Sequence, residues 1–239
     1  MLKFFRQIRS RLLQENKLTQ YLIYAIGEIL LVMVGILLAL QVNNWNETKK
    51  SNQYENKLSI NMSKAIENNF PDIRISLNYT KRAINSIEII INNFENNQPY
   101  HDSLRTHFHY ANVWAYQRLN HSAFETAKQY GLHFIKSDTL TALLSDLYEV
   151  HQNLILQYEK RQHDFHYSTV TPFLSNNFQR IGEKGNKLVP LDYESLKTST
   201  QYRYMLQTNF VERKNDLRWF KMQIKKMESS MKFLKEEMK

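Results

Sequence analysis

His163 and His166 stand three residues apart with Asp164 between them, and His107 and His109 stand two apart. Histidine beside carboxylate is the raw material of a metal site or a general base, but neither spacing assembles one. On a helix, three residues apart places His163 and His166 side by side and turns Asp164 away, while two apart points His107 and His109 in different directions. Neither matches the H-E-x-x-H arrangement that sets two ligands and a base on one face. The eight histidines of the chain are therefore expected as exposed or capping residues. Cysteine is absent, which excludes disulfides, thiolate nucleophiles, thiolate zinc sites and iron-sulfur clusters. Nor does the chain contain a glycine-rich phosphate loop or a G-x-S-x-G turn. Ser122 with Glu125 reads as a helix capping box, and Asp102-Ser103 and Asp138-Thr139 read as helix starts. No catalytic residue, metal or cofactor is expected, and the chain is expected not to be an enzyme.

One ionisable residue remains unexplained by that survey. Glu28 lies inside the run Tyr21 to Val42, 22 residues of which 13 are Leu, Ile or Val. As a helix this run rises about 33 Å, close to the hydrocarbon thickness of a bilayer. Each of those aliphatic residues contributes roughly −0.3 to −0.6 kcal/mol to insertion, against about +2.5 to +3.5 kcal/mol for a central charge. Insertion wins despite Glu28. No A-x-A-like site follows, so an uncleaved anchor is expected rather than a signal peptide. Tyr21 and Tyr24 at one end and Trp45 at the other mark the membrane boundaries. Gly35 is seven residues and Ala39 eleven beyond Glu28, which puts all three on one stripe, and small residues four apart allow helices to approach closely. Glu28, Gly35 and Ala39 are expected as a helix-helix interface in the membrane.

The parts before and after the span follow from charge and periodicity. Residues 1–20 carry Lys3, Arg6, Arg9, Arg11 and Lys17 among apolar residues, a basic amphipathic segment expected on the cytoplasmic face. Residues 21–45 form the transmembrane anchor, and residues 46–239 the extracytoplasmic domain. The net charge is +9, but beyond the lead-in the basic residues are dispersed, which argues against nucleic acid as a partner. With only 5 Gly and 4 Pro, the domain is expected to be all-α. Ile73, Leu77, Thr80, Ile84, Ile87, Ile91 and Phe94 step by fours and threes after a helix break at Phe70-Pro71. Leu140, Leu144, Leu147, His151, Leu154, Tyr158 and Phe165 do so again, in a helix expected to stop before Thr171-Pro172. Ser137 or Asp138 is its expected N-cap, and Gly131 the residue just past the preceding helix. The region from Asn176 to Asp192 reads as a loop. At the C-terminus Leu217, Phe220, Ile224, Met227, Met231, Leu234 and Met238 form a heptad seam, expected either inside an antiparallel bundle or in an intermolecular coiled coil.

The residues of the N-terminal third resemble those of a known family. The basic lead-in, Glu15-Asn16-Lys17, Tyr24-Ala25-Ile26-Gly27-Glu28, Gly35-Ile36 and Asn43-Asn44-Trp45-Asn46-Glu47 resemble a family of short single-pass inner-membrane proteins of Gram-negative bacteria, known only as a domain of unknown function. The resemblance implies a membrane anchor with a periplasmic helical domain, and it brings no activity. The expected function is an accessory or scaffold subunit that assembles with itself or with another membrane protein. The alternative is an extracytoplasmic sensor or ligand-binding bundle, which requires a pocket lined by aromatics such as Trp114, Tyr116 and Phe124.

Overall fold

The computed structural model describes residues 18–116, 119–130, 132, 135 and 137–237. The basic lead-in, Gly131 and Met238 lie outside the described residues. The chain is mostly helical and divides into two units, Met1–Glu55 and Asn56–Lys239.

Helix α1 (Leu18–Glu95) contributes to both. In the first unit it is long and apolar enough to cross a membrane, and none of its apolar window is buried by protein. From Leu22 to Lys50 only Ala25 and Glu28 are partly covered, and every other side chain is exposed. Past the aliphatic run the helix carries Asn and Thr, which ordinarily compete with the backbone. Here their bonds stay within the helix: Asn43 Nδ2 donates to Glu47 Oε1 at 3.0 Å and Thr48 Oγ1 to the Asn44 carbonyl at 2.8 Å.

In the second unit α1 runs through Pro71, where the sequence suggested a break. The proline and Glu67, whose carbonyl loses its donor, are both exposed, so water satisfies the vacancy. Asn69 and Ile73 meanwhile keep the buried face continuous across it. That face passes through Met62, Ile66, Asn69, Ile73, Thr80, Ala83, Ile87, Ile90 and Phe94. Leu77, Ile84 and Ile91 are only partly buried, and the central positions beside them belong to the smaller Ala83 and to Ile90. The helix ends where Asn97 takes a left-handed φ of 50°, with the Gln98 N–H returning to the Asn93 carbonyl and the Asn97 N–H to that of Phe94.

Short helices α2 (Leu104–Tyr110) and α3 (Ser122–Tyr130) follow. Ser122 gives its hydroxyl to Asn120 Oδ1, so Asn120 and not Ser122 organises that helix start. Next comes α4 (Asp138–Ser145), capped by Ser137, whose side chain accepts the Leu140 N–H at 3.2 Å. A π-helical segment, Asp146–His151, leads into α5 (Gln152–Phe165), and a second, His166–Val170, into α6 (Thr171–Asn177). Each wide turn admits an extra residue and rotates the face that follows. Leu140, Leu144, Leu147 and His151 are buried, but beyond the first wide turn Ile155 takes the inward position and Leu154 is 48% exposed. The second carries the helix past Thr171-Pro172: the Thr171 N–H reaches back five residues to His166, just before the proline that has no N–H to give.

Residues 178–190, expected as loop, contain a β-hairpin of β1 (Phe178–Ile181) and β2 (Lys187–Pro190), with Phe178 opposite Pro190 and Arg180 opposite Leu188. Helix α7 (Tyr193–Thr198) precedes the last helix, α8 (Thr200–Glu237). Side-chain pairs tie α8 to the α4–α6 stretch, their numbers rising on one as they fall on the other: Asp146 with Lys226, Gln152 with Gln223, Tyr158 with Glu212. The largest hydrophobic cluster gathers the end of α1, α2, α6, the hairpin and the start of α8 around Tyr202. Its ring stacks on Phe173 at 5.4 Å and packs against Phe178 at 5.7 Å.

Candidate functional site

Beside that cluster the second unit holds a cavity of about 550 Å³. Among the described residues four local structures wall it, besides His109 of α2. The first is the segment after α2, residues 111–116. Asn112 and Asn209 are both buried, and Asn209 Nδ2 donates to the Ala111 carbonyl at 3.1 Å and to Asn112 Oδ1 at 3.3 Å. Ser76 of α1 holds the far end through the Tyr116 carbonyl at 2.9 Å. Pinned at both ends, the segment presents Trp114 and Tyr116 to the cavity, their rings 5.9 Å apart. The second wall is the π-helical turn, which presents His166 with its ring 4.1 Å from that of Trp114. Helix α6 is the third, with Thr171, Leu174 and Ser175.

The hairpin is the fourth. Alternation along a strand puts Phe178 and Arg180 on one face, and the register adds Leu188 across from Arg180. Arg180 Nη1 donates to the Gly185 carbonyl at 2.9 Å, closing the loop. Gly185 has φ 58°, and a Cβ there would come within 3.1 Å of Arg180 Cδ, so glycine serves both the backbone and the arginine that lies over it.

A smaller cavity of about 160 Å³ shares Asn112, Trp114 and His166 with the larger one and continues to Arg213, Glu212 and Gln162. Arg213 and Asp216 are each 5% exposed at the side chain and pair at 2.8 Å, and Gln162 Nε2 donates to the other Asp216 oxygen at 2.9 Å. Burial opposes charge on both partners, lowering the Arg213 pKa and raising that of Asp216, whose carboxylate Arg213 and Gln162 hold in part. Arg213 Nε and Trp114 Nε1 have no partner among the described residues. Glu212 is engaged by the Tyr158 hydroxyl and, at 3.7 Å, by Arg161.

Burial, then Arg213, His163 and Arg180, push the His166 pKa down to about 4, and burial followed by Arg180 lowers that of His109. At neutral pH both rings are uncharged and can donate or accept. Ser175 is the hydroxyl nearest to a nucleophile in type, but it donates to the Pro172 carbonyl at 2.9 Å. Among the described residues no three His, Asp or Glu side chains converge on a point that could hold a metal ion. The wall is suited to enclosing a molecule: flat rings, aliphatic floor, one full charge and several amphoteric groups.

Of the aromatics singled out from sequence, Trp114 and Tyr116 line this cavity, whereas Phe124 is buried elsewhere, stacked on Tyr148 at 4.9 Å. His166 lines it without His163, and His107 instead meets Ser86 Oγ at 3.1 Å. Arg180, Arg213 and Asp216 were not singled out. The Arg213-Asp216 spacing of three on a helix was the signal available for the last two. Along α8, Phe220, Met227 and Leu234 are fully buried and Leu217, Ile224 and Met231 flank them, with Asp216, Gln223 and Ser230 buried between. In the first unit Glu28 is partly covered, Gly35 and Ala39 are exposed, and a Cβ added at Gly35 would meet nothing within 4 Å. Tyr24 and Trp45 are exposed, and the Lys49 ammonium lies over the Trp45 ring at 5.9 Å; Tyr21 belongs to α1, but its side chain is outside the described residues. No family model, no curated protein and no solved structure matches the chain.

Proposed function

We propose that this protein is a non-enzymatic, single-pass membrane protein whose helical domain binds a small molecule and passes its occupancy to a partner in the membrane. The observation that carries this reading is the cavity walled by Trp114, Tyr116, His166 and Arg180 in the second unit of a chain whose first unit is an exposed apolar helix. In this reading α1 anchors the chain in a bacterial inner membrane. The basic lead-in keeps the N-terminus cytoplasmic, and the domain, an antiparallel helical bundle, is periplasmic. Neighbouring walls that are already hydrogen-bonded in place favour binding, because little ordering remains for the ligand to impose.

A second reading, an accessory or scaffold subunit assembling through Glu28, Gly35 and Ala39, is favoured by the exposure of Gly35 and Ala39, where close approach of another helix meets no obstruction at Gly35. The two readings separate in one experiment. Full-length protein is extracted in mild detergent and examined by native mass spectrometry, beside a Trp114→Ala/Tyr116→Ala variant and a Glu28→Leu variant. Binding predicts a small molecule retained by wild type and by Glu28→Leu and lost from the double variant. Protein that carries no small molecule yet assembles with itself or another chain, and loses that assembly in Glu28→Leu, would replace ligand binding with the scaffold.

A further inference from the structure

The charge on the cavity wall says what kind of molecule the site takes. Among the described residues no Asp or Glu lines the larger cavity, and Arg180 is its one fully charged lining residue, since His109 and His166 are neutral at pH 7. A cationic ligand would find the rings of Trp114 and Tyr116 but no carboxylate among the described lining residues, and Arg180 would repel it. A purely apolar ligand would cover part of Arg180 and offer it no acceptor, and covering a charged donor without one is costly.

Arg180 is exposed, and an exposed arginine is ordinarily a solvated one. This one differs in being held. Its Nη1 is fixed on the Gly185 carbonyl, its stem lies over a glycine whose Cβ would collide with it, and strand alternation sets it beside Phe178. Part of the rotamer entropy that a flexible arginine loses on binding is thus already lost. Beyond Trp114 and His166 the adjoining cavity brings Arg161 paired with Glu212, and Arg213, of whose donors Nη1 goes to Asp216 while Nε has no partner among the described residues.

Resting on the ligand-binding reading above, we infer that the ligand is an amphipathic organic anion: an acid group met by Arg180, borne on an aromatic or apolar body that packs between Trp114, Tyr116 and the Leu174–Phe178–Leu188 floor. Its size is bounded by a cavity of about 550 Å³, in the range of drug-sized molecules.

The test uses a matched pair of probes, 2-naphthylacetate and the neutral 2-naphthylacetamide, titrated calorimetrically at pH 7.5 into full-length protein in nanodiscs, with empty nanodiscs subtracted. The carboxylate is expected to bind about fivefold to tenfold more tightly than the amide, the difference a charge-assisted hydrogen bond at a partly exposed site provides. Arg180→Gln should abolish that preference and leave the amide unchanged. Lys184→Gln, which removes a cation from the same hairpin outside the cavity lining, should keep the preference. Equal affinity for the two probes in wild type would overturn the anion inference while leaving the ligand-binding reading standing. A preference that survives Arg180→Gln would overturn the role of Arg180. No binding of either probe, with a circular dichroism melt showing folded protein, would overturn the ligand-binding reading itself.

Discussion

From Tyr202 to Leu206 the buried face of α8 meets rings: Phe94, Phe108, Phe173 and Phe178 surround Tyr202 at centroid distances between 5.4 and 6.4 Å. From Arg213 to Ser230 the same face, with the same steps of three and four, buries Arg213, Asp216, Gln223 and Ser230 among Phe220 and Met227. The first stretch is stabilised by apolar area and ring packing, which act in every direction. In the second, burial of polar groups is costly and only partly offset: Asp216 finds Arg213 and Gln162, and Gln223 Nε2 finds Gln152, while Gln223 Oε1, Arg213 Nε and Ser230 Oγ have no partner among the described residues. Packing strength and choice of register are thus separated along one helix. The larger cavity, with Leu174 and Phe178, lies at the first region and the smaller, with Arg213, at the second, and Asn112, Trp114 and His166 line both.

The largest effect should come from the ring-packed end. Phe108→Ala removes a fully buried ring and is expected to lower unfolding free energy by about 3 to 5 kcal/mol, read as a shift in urea midpoint with an unchanged slope. A loss under about 1 kcal/mol would mean that this cluster is not what holds the hairpin and α2 together. In the polar stretch the outcome should depend on removing one partner or both. Asp216→Ala leaves the Arg213 guanidinium buried without its carboxylate and should cost about 3 kcal/mol, whereas Arg213→Met with Asp216→Leu should return to within about 1 kcal/mol of wild type. If the double variant is as unstable as the single one, the pair contributes to stability and not to register.

Acid should separate the regions further, by a smaller amount. His166 has a folded pKa of about 4, below its ordinary 6.5, so as pH falls the unfolded chain takes up the proton first. The stability it contributes is complete above pH 6.5 and lost between there and pH 4, at most roughly 3 kcal/mol. Lowered pKa values at His107, His109, His121 and His151 act in the same direction. Asp216 acts oppositely: its raised pKa means that the folded state holds a proton the unfolded chain has released, and stability falls as pH rises through the folded value. Thermal melts from pH 7 to pH 4 should therefore fall, less steeply in His166→Gln and more steeply in Asp216→Asn.

Much of this was legible in the residues, and the misreadings share a physical origin. Periodicity found the helices, and Ser137 was readable as a cap because its side chain has one local task. Which residues face inward was harder. Choosing the largest apolar residue at each step selects Leu77, Ile84, Leu217 and Ile224, all partly buried, over Ala83 and Gln223, because a close approach favours small residues and a paired polar residue is buried without being apolar. Leu154 was misplaced because a wide helical turn leaves no signature in composition. The hairpin was hidden by its shortness: four residues give alternation too little room to stand out from loop. Trp114 and Tyr116 were readable as ring-bearing residues, but Arg180 acquires its place only from Gly185 and the strand register.

The bonds from Asn209 to Ala111 and Asn112 join residues 98 and 97 positions apart. Contacts so distant in the chain form late, after the segment between has closed its own loops. On a growing chain, α1 and α2 are made before the residue that fastens the Ala111–Asn112 end of the wall, so that end is held only once α8 has been synthesised through Asn209. A chain truncated ahead of Asn209 would keep the Ser76 bond to the Tyr116 carbonyl and lose those to Ala111 and Asn112, leaving Trp114 held from one side only.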